Sequence, residues 1–231
     1  MTFQFTKAMN ATIAPTVEAP TKDYRGTLRF WHWANSLLIS LQLLTILFQK
    51  VIVNSRTAVP EFQKAMSKQN VTITTQQGRA FAHIISERIW DWHIYFGYAL
   101  VALWVFRLGL QLTGPSNLHF SARLMEILRR YRLAPPADKT KAGKILFAKT
   151  TYALFYAFIT IMVFTGLILI YHDDVAFFDK IEHTAGEIHN VTMYLIMGFI
   201  ALHVVGVVWT ETTEDHGLIS RMVGGEAPAT K

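Results

Sequence analysis

The chain has 231 residues, of which 52% are hydrophobic and only 16% charged, and it carries a net charge of +6. Soluble domains average about 25% charged residues, so this balance suits a small polytopic membrane protein better than an ordinary soluble fold. The positive charge belongs to loops held on the cytoplasmic side, and no nucleic-acid partner is expected. There is no cysteine, which excludes disulfides, cysteine-held iron–sulfur clusters and thioether-attached haem.

Residues Met1–Asp23 are rich in Thr, Ala and Pro and lack an apolar run. They read as a flexible cytoplasmic tail rather than a cleaved signal, so the first span must act as its own insertion signal. A transmembrane domain over 24–225 follows, and 226–231 form a second tail. Four segments, near 29–53, 91–113, 146–171 and 187–210, are each long enough for a hydrocarbon core that needs about 20 residues of helix. The first is the most polar, with His32, Asn35, Gln42 and Gln49. The connection Asn54–Trp90 is long, and Ala80, Phe81, Ile84, Ile85, Ile89 and Trp92 fall at helical spacing in its second half. A helix over Thr75–Trp92 that runs into the second span is expected, either as a docking platform or lying on lipid.

Pro115–Leu146 carries Arg123, Arg129, Arg130, Arg132, Lys139, Lys141 and Lys144, whereas His172–Gly186 sets Lys180 against Asp173, Asp174, Asp179 and Glu182. The positive-inside rule puts the first of these connections in the cytoplasm. The expected fold is therefore an all-α integral membrane four-helix bundle, N-in/C-in, with an additional extracytoplasmic helix before the second span. The cell's inner membrane is the expected location.

Four histidines lie in or at the edges of these spans: His32, His93, His189 and His203. Imidazole at membrane depth is rare and functional by default. His189 and His203 are fourteen residues apart, a rise of about 21 Å over nearly four whole turns, so both face the same way. Depth then pairs His32 with His203 in an inner layer and His93 with His189 in an outer layer. Each pair joins two helices, as a haem slotted into a four-helix bundle requires. The expected cofactors are two non-covalent haem b groups, each with two histidine ligands. An iron with imidazole on both faces has no open position, and its work is one-electron transfer.

Arg107 lies fourteen residues after His93, which places it at the inner layer as a contact for haem propionates or a quinone oxygen. Snorkelling to the cytoplasmic interface is the alternative. Arg29, one turn before His32, is a second propionate candidate, and Asn35 is a further quinone-contact candidate. Gly97, Gly166 and Gly198 offer helix surface without side chains for a planar macrocycle, although ordinary small-residue packing explains each equally well. His83, His119, His172, His183 and His216 are expected on solvated surface, and no metal-type His/Glu cluster is apparent.

The run Leu28-Arg29-Phe30-Trp31-His32-Trp33-Ala34-Asn35 resembles the R-x-W-H-W opening of the b-type cytochrome subunit of nickel–iron hydrogenases. The broader group is the bacterial cytochrome b561 superfamily. The span with His93, Gly97 and Arg107, the run Val163-Phe164-Thr165-Gly166-Leu167, the pair His189 and His203, and the tail from Glu211 to Gly225 resemble the later parts of that family. The resemblance covers Asp23–Gly225. It implies electron exchange between an extracytoplasmic redox partner (a hydrogenase, a molybdopterin enzyme or a c-type cytochrome) and menaquinone or ubiquinone, as an electron-transfer subunit rather than an enzyme alone. The outer connections depart from the hydrogenase subunits: the first is long, and the third lacks an aromatic-rich stretch. Two other readings stand beside this one, a stand-alone quinol-oxidising cytochrome and a haem-free anchor or transporter whose histidines relay protons.

Overall fold

The computed structural model describes residues 26–113, 120–213 and 217–225. The expected tails 1–23 and 226–231, and the loop histidines His119 and His216, lie outside the described residues. Among the described residues the fold is all-helical: α1 (Gly26–Leu47), α2 (Ser55–Ser67), α3 (Thr75–Thr113), α4 (Phe120–Leu133), α5 (Lys139–Ile170), α6 (Ala176–Thr213) and α7 (Leu218–Gly224). A π-helical turn, Phe48–Ile52, ends α1, and a 3-10 turn, Pro136–Asp138, precedes α5.

Four helices, α1 with its π-helical turn, α3, α5 and α6, are long and apolar enough to cross a membrane. Their exposed faces support that reading. Leu37 is 62% exposed, Phe147 74% and Leu202 76%, a cost in water that a bilayer removes. The chain is a multi-pass membrane protein.

The expected helix over Thr75–Trp92 is present and runs without a break into the second span. With 39 residues, α3 is about 58 Å long, nearly twice the hydrocarbon thickness, so much of it projects beyond the core. Its start is a capping box. The Gln77 backbone N–H donates to Thr74 Oγ1 at 3.2 Å, and the Thr74 backbone N–H donates to Gln77 Oε1 at 2.8 Å.

Two helices in the connections are additions to the expected elements. The first, α2, lies back along the projecting half of α3. The Phe62 and Phe81 rings stack at 4.5 Å, and Val59 is buried where Gly78 leaves no room for a Cβ. The second, α4, fills part of the Pro115–Leu146 connection and packs on the start of α5.

Among the described residues, those within 30–206 form one compact unit, and 26–29 with 207–213 and 217–225 belong to another. The core of the first contains Ile39 of α1, Ile159 and Val163 of α5 and Ile196 of α6. Leu100, Val101 and Trp104 of α3 pack against it. In the second unit the Glu211 carboxylate accepts the backbone N–H groups of Gly217 and Ile219 at 2.8 and 2.9 Å. These are donors that the first turn of α7 leaves unpaired.

Candidate haem-ligand pairs

The structure brings the four histidines together in the two expected pairs. The His32 ring on α1 lies 6.4 Å from the His203 ring on α6, and the His93 ring on α3 lies 6.5 Å from the His189 ring on α6. Two metal–nitrogen bonds of about 2.0 Å, plus the distance from each nitrogen to its ring centre, put the centroids of a bis-imidazole iron site about 6 Å apart. Both pairs meet that requirement. The α6 surface between its two histidines also has room, because a Cβ on Gly198 would meet nothing within 4 Å.

The surroundings of the two pairs differ. In the His93–His189 pair each imidazole has a buried threonine beside its Nδ1. Thr45 Oγ1 lies 2.8 Å from His93 Nδ1, and Thr165 Oγ1 lies 2.9 Å from His189 Nδ1. Gln42 on α1 donates to the His93 carbonyl at 3.0 Å. A Cβ on Gly97 would come within 3.3 Å of that glutamine's Nε2, so Gly97 accommodates the amide of Gln42. Gly166 faces His189 directly, since its Cβ would lie 3.5 Å from His189 Cε1. In the His32–His203 pair, His32 Nδ1 is buried without a hydrogen-bond partner among the described residues, and the Phe199 ring stacks on His203 at 6.1 Å.

Arg107 stands at a third constellation. Its Nε donates to Tyr156 Oη at 2.8 Å and its Nη2 to Tyr152 Oη at 2.7 Å. The guanidinium also lies over the Trp31 ring at 5.6 Å, and that ring stacks on Tyr156 at 5.4 Å. No carboxylate pairs with Arg107 among the described residues. The buried Trp31 Nε1 has no hydrogen-bond partner. Asn35 is buried and its amide donates to the Trp31 carbonyl of its own helix at 2.9 Å. The Arg29 guanidinium is placed against Gly225, at the end of α7, where the positive φ favours glycine.

Among the other histidines, His83 and His183 are exposed beside Glu87 and Glu187, as expected of surface groups. His172 differs. The turn after α5 brings it together with Asp179 and Glu182 of α6, their ligand atoms all within 4.8 Å of one another. No His/Glu cluster was visible in the sequence there, because the grouping depends on the reversal of the chain between the two helices. Its carboxylates face solvent, and Asp173 also approaches His172 Nδ1 at 3.3 Å, which suits an ordinary surface ion-pair group.

Four membrane-length helices with imidazoles set in pairs across their interfaces define a membrane-embedded b-type cytochrome, a protein of electron transfer. The family model for prokaryotic cytochrome b561 matches residues 23–225, and the chain belongs to that family. No curated protein and no solved structure was found to match it.

Proposed function

We propose that the chain is a dihaem cytochrome carrying electrons across the bacterial inner membrane between an extracytoplasmic redox partner and the quinone pool. The observation that carries this reading is the presence of two imidazole pairs, at 6.4 and 6.5 Å, fourteen residues apart along α6. His32 and His203 hold the inner haem, and His93 and His189 hold the outer one. With both axial positions filled, each haem supplies one-electron transfer. The protein's part is to hold two such groups about 21 Å apart along one helix. Loop charge supports N-in, C-in orientation, with the basic α4 region inside and α2 outside.

Quinone is assigned to the cytoplasmic side, beside Arg107. A guanidinium with no carboxylate partner among the described residues, at membrane depth, calls for an acceptor of electron density. The unpartnered Trp31 indole N–H offers a second donor to the same kind of group. Tyr152 and Tyr156 hold the guanidinium in place. A propionate of the inner haem is the other acceptor that this donor set suits, and Arg29 remains a second propionate candidate. The redox partner outside is a hydrogenase, a molybdopterin enzyme or a c-type cytochrome, by family likeness.

The test is reduction of the purified holoprotein by menaquinol or ubiquinol, followed in the b-type absorbance. Both bands are expected to reduce. Arg107→Leu should slow the reaction roughly tenfold or more at unchanged haem content, since a hydrogen bond to a charged group contributes about 1.5–3 kcal/mol. Failure of both quinols to reduce the wild-type haems contradicts the quinone reading. An unaltered rate in Arg107→Leu rejects Arg107 as the contact.

A further inference from the structure

The two outer-layer threonines are set alike. Thr165 Oγ1 donates its single hydrogen to the Ile161 carbonyl at 2.7 Å, and Thr45 Oγ1 donates to the Gln42 carbonyl at 2.6 Å. A hydroxyl has one proton to give. With that proton directed along its own helix, each oxygen can only accept from the imidazole beside it. The Nδ1 atoms of His93 and His189 must then carry hydrogen, which leaves the lone pair on Nε2. Both threonines are only 7% exposed, so water does not substitute for them. Neither inner imidazole has a hydrogen bond of this kind among the described residues, and His32 Nδ1 is buried without any.

We propose that Thr45 and Thr165 are the positioning residues of the outer haem, fixing His93 and His189 as Nε2 ligands and lowering that haem's reduction potential. The proposal rests on the bis-histidine reading given above. The physical cause is that an Nδ1–H bonded to an acceptor makes the opposite nitrogen a stronger donor, which favours the oxidised metal. The bond also fixes ring rotation, so the imidazole plane is set before the ligand site is filled. The two layers are thereby given different ligand strengths from identical ligands.

The experiment is a potentiometric titration of the purified holoprotein with low-temperature electron paramagnetic resonance of each ferric haem. It compares the wild type with Thr45→Val, Thr165→Val, the double variant, and the two Thr→Ser variants. Each valine is expected to raise the midpoint of one haem and shift its resonance, with the larger change in the double variant. The other haem should stay as it was, and serine should restore the wild-type values. Loss of the outer haem alone in a valine variant, recovered with serine, supports the proposal equally. Two haems with unchanged midpoints in the double variant overturn it and leave the bis-histidine reading intact. So does any change that serine fails to restore. A wild-type protein without low-spin ferric haem overturns the bis-histidine reading itself.

Discussion

His203→Ala is expected to remove the haem assigned to the His32–His203 pair and leave the other, halving the b-type absorbance of the purified protein. His32→Ala gives the same product, while His93→Ala and His189→Ala give the complementary one. Each pair draws one ligand from α6 and one from another helix: α1 supplies His32, and α3 supplies His93. A haem that loses one axial imidazole from such a pair loses half its ligation and its orientation between the helices. The spectra should therefore fall into two classes, with the members of each class alike. Classes made of His32 with His93, and of His189 with His203, would contradict the layering.

Gly166→Leu is expected to empty the outer site without touching the inner one. A Cβ at this position makes an ordinary 3.5 Å contact with His189 Cε1, so Gly166→Ala should keep both haems. The further carbons of leucine have to enter the space of the imidazole or push α5 away from α6. Overpacking of this kind costs about 1–3 kcal/mol, and rotating His189 would also break its 2.9 Å contact with Thr165. Haem quantitation with the reduced-minus-oxidised spectrum checks this. Full outer-haem absorbance in the leucine variant would show that Gly166 does not limit the site.

Much of this arrangement was legible in the residues. The spans follow from hydropathy, and the histidine layers follow from a spacing of fourteen on one helix, because helix geometry alone decides which way those side chains face. The helix before the second span announced itself by apolar periodicity, and Thr74 with Gln77 closes its start. By contrast, α2 was hidden. Pro60 sits inside it, and proline in a helical pattern normally argues for a break. The α4 region was read for its charge, which masks the amphipathic spacing of Leu124, Ile127, Leu128 and Tyr131.

The partners of the functional groups were the least legible part. Thr45 reaches His93 across 48 residues, Thr165 reaches His189 across 24, and Arg107 reaches Tyr152 across 45. Such pairings depend on how two helices are rotated and offset in depth, which no periodicity within one helix encodes. A usable signal was present for one of them: Tyr152 and Tyr156 are four apart on α5, so both phenols share a face. Gly97 illustrates the reverse. Macrocycle surface and ordinary small-residue packing were equally open for it, and the fold sets the Gln42 amide against it.

The central claim is that this one chain holds two haems, each between two histidines. Its most direct test is the haem-to-protein ratio of the purified full-length protein, taken with its reduced-minus-oxidised spectrum. Two non-covalent haem b groups per chain with a low-spin b-type band are the expected result. A single haem per chain would contradict the two layers, and the absence of any b-type band would contradict the haem assignment altogether.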